Sequence, residues 1–410
     1  MKKFLILIMA FIQTVSLCNA AEEIVLDLTE DSVRSNIAIV EPEKKLFSDV
    51  EHQQMIEVVP QEQNPNFIIN NAFSKGISNL FHLEAERTDK TTSLLKNYTT
   101  KNFESGPLEK IYLWGAYQGF FNTTMTEGKH GTTVYTPSLI NVFLDGTFRG
   151  GKEGFRFMVD PTPQHNRSFL SQFLQDAYVQ TTRLPHHTIM VGNSRVGIGD
   201  EGRSGAYTLP FINRSQSARN LSNIRKFGVR VKGDYKLVEY DVGGYSSDTF
   251  FQSFFPGAEF NGWVNFKPLG MTDGRYGKLV TGGGISAGRN HTDYFLSGLY
   301  AGYEYKKFWA KFEYMHANGS NAGAGPTLTK SSGLFATVAY RLTPKLEILA
   351  RYDSYDPNEQ IKHNYSREYT AGLTYFLKGQ ALRLMLNYVY CQRQDARDSH
   401  QILLGTQILL

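Results

Sequence analysis

Apolar and polar residues alternate along short runs from Leu108 to the end of the chain. Successive side chains of a β-strand point to opposite faces, so each such run predicts a strand with one apolar and one polar face. In the clearest example, Leu382, Leu384, Leu386, Tyr388 and Tyr390 share one face, while Arg383, Met385, Asn387 and Val389 share the other. Because runs of about ten residues suit tilted strands that cross a bilayer, the pattern favours a membrane wall over a soluble sandwich.

The alternation predicts about sixteen strands, an even number, as expected for an all-β transmembrane antiparallel β-barrel. Their predicted ranges are 108–118, 136–148, 153–160, 172–182, 187–194, 224–233, 236–246, 258–267, 276–287, 293–305, 307–317, 331–342, 345–356, 366–378, 381–392 and 400–410.

The lengths of the connections alternate as well. Short ones, such as 149–152 and 342–345, alternate with long ones, such as 119–135 and 318–330. Outer-membrane barrels have short periplasmic turns and long extracellular loops, so both chain ends are expected in the periplasm. Two connections strain the pattern, because 267–275 is long for a turn and 288–292 is short for a loop.

The third external connection, from Arg195 to Asn223, is the longest of these. It carries Arg195, Arg203, Arg214 and Arg219 among small residues, with only Asp200 and Glu201 of the opposite charge. Loops of this length in compact folds are uncommon and usually functional or disordered. We expect this one to fold into the pore and narrow it, with its backbone solvated by pore water or paired with the inner wall.

A basic stripe follows the loop directly. Lys226, Arg230 and Lys232 alternate with Phe227 and Val229. A charge facing lipid near the bilayer centre would cost roughly 2–4 kcal/mol, so the cations are expected to face the lumen. Lumenal cations raise the local anion concentration, although mixed charges could equally make the lumen polar and brace the loop. The predicted anion-binding, pore-lining residues are Arg195, Arg203, Arg214, Arg219, Lys226, Arg230, Lys232, Arg156, Arg351 and Arg383.

The N-terminal part of the chain differs from the rest in pattern and charge. Lys2 and Lys3 precede an apolar run and a small-residue site ending at Ala20, which predicts a signal peptide over residues 1–20 and export to the outer membrane. Residues 21–106 hold eight Lys and Arg against fifteen Asp and Glu, whereas residues 107–410 carry a net charge of about +9. We interpret the acidic segment as a periplasmic arm, which is either poorly ordered, in contact with a periplasmic partner or a plug of the pore, and 107–410 as the barrel.

Composition agrees with the barrel, since 37 Gly, 23 Tyr and 28 Phe suit tight turns and interfacial aromatic girdles. No zinc spacing, nucleotide-binding context or nucleophilic Ser is evident, so we expect no enzyme, no metal, no cofactor and no nucleic-acid partner.

Four segments, taken in order, then carry a family resemblance: residues 174–180, 191–201, 211–215 and 227–232, with the closing hairpin 369–390. Over residues 108–410 the chain resembles the phosphate-selective porin O and porin P family. The resemblance implies a homotrimer of sixteen-stranded barrels in outer-membrane lipid, and passive diffusion of small inorganic anions such as phosphate or polyphosphate past a constricting third loop. Val196-Gly197 and the terminal Leu410 depart from the family pattern. The alternatives are a general-diffusion porin or a structural protein whose arm binds a periplasmic partner.

Overall fold

The computed structural model describes residues 100–161, 173–248, 253, 255–322 and 326–409. The predicted signal peptide, and the predicted arm as far as residue 99, lie outside the described residues. Seventeen strands form one antiparallel sheet. They are β1 (Thr100–Asn102), β2 (Leu108–Thr126), β3 (Thr132–Phe148), β4 (Glu153–Val159), β5 (Leu174–Thr181), β6 (His187–Arg195), β7 (Arg225–Asp234), β8 (Val238–Ser246), β9 (Ala258–Phe266), β10 (Lys278–Asn290), β11 (Thr292–Tyr305), β12 (Phe308–Ser320), β13 (Thr327–Thr343), β14 (Leu346–Asp356), β15 (Ser366–Phe376), β16 (Leu382–Arg393) and β17 (Ser399–Leu409).

Strands β2 to β17 close into a sixteen-stranded barrel. Each strand pairs with the next one in sequence, and β17 pairs with β2, with Leu409 opposite Ala116. The short strand β1 pairs with Lys110–Tyr112, a part of β2 beyond the end of β17, and so continues the line of β17. The predicted strand number and antiparallel closure are confirmed.

The two faces of the barrel follow the sequence alternation. In β7, Phe227 and Val229 are 38% and 46% exposed on the outside, whereas Lys226 and Arg230 are buried inside. In β12, Phe312 is likewise exposed between two buried neighbours, Lys311 and Glu313. An apolar outer face with charged residues inside is the arrangement of a transmembrane barrel.

Two of the predicted long connections are wrong. The segment 119–135 continues β2 and β3 as a ribbon with its turn at residues 127–131, and β12 extends to Ser320 with β13 starting at Thr327. The first ribbon is rich in threonine, a good strand former, and the hydroxyls of Thr123 and Thr133 lie 3.0 Å apart across it. Polar threonines lie on both faces of these strands, so the alternation of apolar and polar residues is lost there.

The two connections that strained the predicted pattern are unusual in the structure too. Strands β10 and β11 are joined through the single residue His291, whose φ of 61° is in the left-handed region. Between β9 and β10 the chain makes consecutive turns, with the amides of Gly270 and Thr272 bonded to the carbonyls of Lys267 and Leu269.

The third loop contains three short helical turns: one at Asp200–Arg203, a 3-10 turn at Ala206–Thr208 and a π turn at Ala218–Ser222. Among the residues described, no helix has the length and apolar character needed to cross a membrane.

Candidate functional site

The third loop, residues 196–224, lies against the inner wall of the barrel. Its backbone amides reach side chains on three distant strands. The amide of Asp200 donates to Glu313 on β12, that of Gln216 to Asp353 Oδ2 on β14 at 3.2 Å, and that of Ile212 to Asn387 Oδ1 on β16 at 2.9 Å. A loop without a sheet of its own needs such acceptors, because a buried amide without a partner is costly.

Apolar side chains also fix the loop. Val196, Ile198, Phe211 and Leu221 are almost fully buried in a cluster with Trp263, Trp309 and Met315 of the wall. On the other side of the barrel, Tyr207 packs edge-to-face on Trp114 and Phe143, with ring centroids 5.5 and 5.8 Å away. The loop therefore makes contact with both β2–β3 and β9–β14. Its apolar residues had not been assigned a role from the sequence.

Gly197 and Gly199 lie at a crowded point of the third loop. A Cβ at Gly197 would lie 2.3 Å from the carboxylate of Asp241, and Gly199 has a φ of 69° next to Met315. Glycine allows this close approach and this backbone conformation.

Six of the ten predicted site residues are buried in contacts within the wall or between the wall and the loop. Arg230 Nε lies 2.7 Å from Asp241 Oδ1, Arg156 Nε lies 2.7 Å from Asp145 Oδ1, and Lys226 pairs with Glu259. Arg203 lies 3.6 Å from Glu239. The remaining contacts are those of Arg351 with Asp353 (3.3 Å) and Glu201 (3.6 Å), and of Arg383 with the oxygens of Gln407 (2.7 Å) and Tyr207 (3.4 Å).

Two other predicted residues, Arg195 and Arg214, are buried without an acidic partner. They are 6% and 7% exposed, and neither makes an ion pair within the described part of the chain. Arg195 donates to the Gly202 carbonyl at 3.3 Å and to the Asn223 side chain, while Arg214 donates to the carbonyls of Glu201 and of Ser204, the latter at 2.7 Å. These acceptors are neutral, so no direct ion pair cancels either charge, although Asp176 attracts Arg195 and Glu201 attracts Arg214 at longer range.

Burial lowers the pKa of Arg214 to about 10, although Glu201 opposes the shift. The guanidinium of this loop residue therefore stays charged at neutral pH, several units below that pKa.

Both arginines line a cavity of about 320 Å³ at the end of the barrel that the turn lengths assign to the outside. Arg219 and Arg225 line it too, and Asp160 is the one acidic residue among the described residues that do so. Arg225 Nε pairs with Asp176 Oδ1 at 2.6 Å, and the partly exposed Arg219 pairs with Glu368 at 2.8 Å. Lys232, half-buried on β7, is not part of this lining.

Sequence reasoning missed Arg225. It is an odd-numbered residue, whereas Lys226 and Arg230 are even-numbered, so the alternation assigns it to the other face of the strand. It is, however, the first residue of β7 and lies opposite Arg195 at the end of β6. At a strand end the pleat no longer dictates which way a long side chain reaches. Its only signal was its position next to the loop.

Within the described residues, no three His, Cys, Asp or Glu side chains are grouped so as to hold a metal ion.

Comparisons with known proteins agree with this architecture. Residues 271–408 match the family described as phosphate-selective porin O and P. This range includes the closing hairpin 369–390 that carried part of the resemblance, and excludes the central segments 174–232. A comparison with curated proteins gave no match.

Solved porins have the same fold at low sequence identity. An anion-selective porin from Comamonas acidovorans is 14% identical, with a TM-score of 0.57 over 73% of this chain and 99% of its own. OprB of Pseudomonas putida is 9% identical, with a TM-score of 0.55 over 78% of this chain and 97% of its own. The trimer form of OmpT from Vibrio cholerae is 12% identical, with a TM-score of 0.50 over 73% of this chain and 99% of its own. The chain thus has the transmembrane β-barrel fold of these porins, and the match over residues 271–408 confirms its resemblance to the phosphate-selective porin O and P family.

Proposed function

We propose that the protein is an outer-membrane porin through which anions diffuse passively, with the third loop as its constriction and Arg195 and Arg214 as its main anion-attracting groups. The porin fold and the family match support a channel rather than an enzyme, and one structural relative is itself described as anion-selective.

The observation that carries the proposal is the pair of buried guanidiniums on one cavity, neither of which makes a direct ion pair with a described residue. A buried charge without a counter-charge is unfavourable, and an anion entering the cavity would relieve that cost. An ion-paired cation such as Arg230 exerts a much weaker field, because its carboxylate partner cancels most of it.

Phosphate and polyphosphate are the anions that the guanidinium chemistry favours. Arginine offers a planar fork of donors that matches phosphate oxygens and stays charged at all physiological pH values. Arg219 and Arg225 also line the cavity, but their pairs with Glu368 and Asp176 cancel most of their charge, which leaves Arg195 and Arg214 as the main anion-attracting groups.

The direct test is the reversal potential of the purified full-length protein in planar bilayers across a KCl gradient. We expect chloride preference in the wild type. Arg195→Ala and Arg214→Ala should each reduce it, whereas the control Arg289→Ala, at an exposed residue next to Asp293, should not. Cation preference in the wild type, or no conductance, would overturn the proposal.

Two further expectations concern assembly. A homotrimer is expected, and the structural relative from Vibrio cholerae occurs in a trimer form. Native mass measurement in detergent tests this. A periplasmic partner of residues 21–106 remains an expectation from the charge of that segment.

A further inference from the structure

Amide side chains line the cavity beside the arginines. Those that line it are Gln118, Asn141, Gln175, Asn193, Asn213 and Asn223. A site for a simple oxyanion needs donors, whereas an amide offers an acceptor oxygen as well.

In three of these amides, one of the two side-chain N–H donors is already bonded to a backbone carbonyl. Gln118 Nε2 donates to the carbonyl of Ile212 at 3.3 Å, Asn141 Nδ2 to that of Ile140 at 3.2 Å, and Asn193 Nδ2 to that of Gln175 at 2.6 Å. These bonds fix which end of each amide is the oxygen, since an amide oxygen in those positions would face a carbonyl.

The three carbonyl oxygens accept no hydrogen bond from any described residue, as the bonds just given are the ones these side chains make. The cavity therefore combines two guanidiniums that make no direct ion pair and three amide oxygens whose positions are fixed. Inorganic phosphate and polyphosphate present mainly acceptor oxygens, so the acceptors would face them without a bond.

Apolar side chains complete the lining, among them Leu139, Leu174 and Leu209. Small-molecule pockets usually combine such apolar walls with a few oriented polar groups and have volumes of roughly 300–1,000 Å³, a range that includes this cavity. A phosphate ion of five heavy atoms would occupy little of it.

Resting on the proposed anion-porin function, we infer that the preferred solute is a hydroxylated organic anion, such as a sugar phosphate or a sugar acid. Its phosphate or carboxylate binds Arg195 and Arg214, its hydroxyls donate to the oxygens of Gln118, Asn141 and Asn193, and its carbon skeleton lies on the leucines.

The test measures block of the chloride current of the full-length protein by glucose 6-phosphate, gluconate, inorganic phosphate and glucose, each added on the external side. At least one of the two hydroxylated anions should half-block at a concentration about fivefold or more below that of phosphate, the effect of one additional net hydrogen bond. Glucose should not block, because it lacks the charge. Which of the two anions blocks tells whether phosphate or carboxylate is preferred.

Asn141→Leu sharpens the test, because leucine matches asparagine in size but has no oxygen. We expect this variant to bring the half-blocking concentrations of the hydroxylated anion and phosphate close to each other. Asn318→Leu makes the same substitution at an exposed position of β12 and should leave their ratio unchanged.

The outcomes separate this inference from the proposed function. If the wild type prefers chloride but phosphate blocks as well as or better than both hydroxylated anions, the inference is wrong and the anion porin stands. If the wild type prefers cations, both are wrong.

Discussion

Two groups of cations face the interior of this barrel, and they differ in what surrounds them. Lys226 and Arg230 on β7 each touch a carboxylate of the wall, on β9 and on β8, whereas Arg195 and Arg214 touch only neutral oxygens. The first pair stabilises the wall, and the second leaves positive charge beside a cavity. Facing the lumen and acting on a solute are therefore separate properties of a residue.

Among the variants that test this difference, Asp241→Ala should have the largest effect on stability. It leaves Arg230 buried and unpaired, and breaking a buried pair in this way typically costs about 3–5 kcal/mol. We expect the free energy of unfolding in detergent to fall by this amount, measured by tryptophan fluorescence during urea titration. Asp293→Ala, at a pair whose side chains are mostly exposed, should change it little. Equal stability of the two variants would contradict the structural role of the Arg230 pair.

A smaller effect is expected when a cavity cation is removed. Arg195→Met leaves no ion-pair carboxylate behind, and removal of a buried charge offsets part of the lost hydrogen bonds, so the free energy of unfolding should fall by no more than about 1 kcal/mol. Arg230→Met, which orphans Asp241, should cost several times more in the same titration. The comparison fails if Arg195→Met is the more damaging of the two.

Salt should lower the chloride preference of the wild type more than that of a variant that lacks both cavity arginines. The Debye length shortens from about 10 Å at 0.1 M salt to about 3 Å at 1 M, so the field of Arg195 and Arg214 reaches less far. We expect chloride preference to decline over this range in the wild type, and to be low throughout in the Arg195→Ala, Arg214→Ala double variant. Reversal potentials at several mean concentrations measure both. A salt dependence that survives the double substitution would place the selective charges elsewhere.

The smallest effect is expected from Asp160→Asn. Removing this carboxylate from the cavity lining should raise chloride preference by a few-fold at most, since a unit charge at about 4 Å in water is worth about 1 kcal/mol. The reversal potential in a KCl gradient again reports the change. A decrease would mean that the aspartate orients an arginine instead of opposing it.

Much of the wall could be predicted from the sequence, because the period of two is a local property. Phe227 and Val229 against Lys226 and Arg230 already separated the outer from the inner face. The pattern failed between Thr123 and Thr133, where both faces are polar and the strands extend further than the apolar residues do.

The cavity was harder to predict, because its character depends on distant partners. The pairing of Arg230 with Asp241 lies within one hairpin and could have been anticipated from the short turn between β7 and β8. In contrast, the contacts of the loop with Glu313, Asp353 and Asn387 join residues more than a hundred positions apart. No local pattern indicates which arginines such contacts leave without an acid.

The seam between β17 and β2 has a consequence for how the barrel forms. It joins the first and the last strand of the barrel, so all the strands between them must be in place before Leu409 can meet Ala116. Contacts between distant residues form late because the entropy of closing a long loop opposes them. We therefore expect the seam to be the last pair of strands to associate, and the open sheet before that point to expose two unpaired edges that are prone to aggregate.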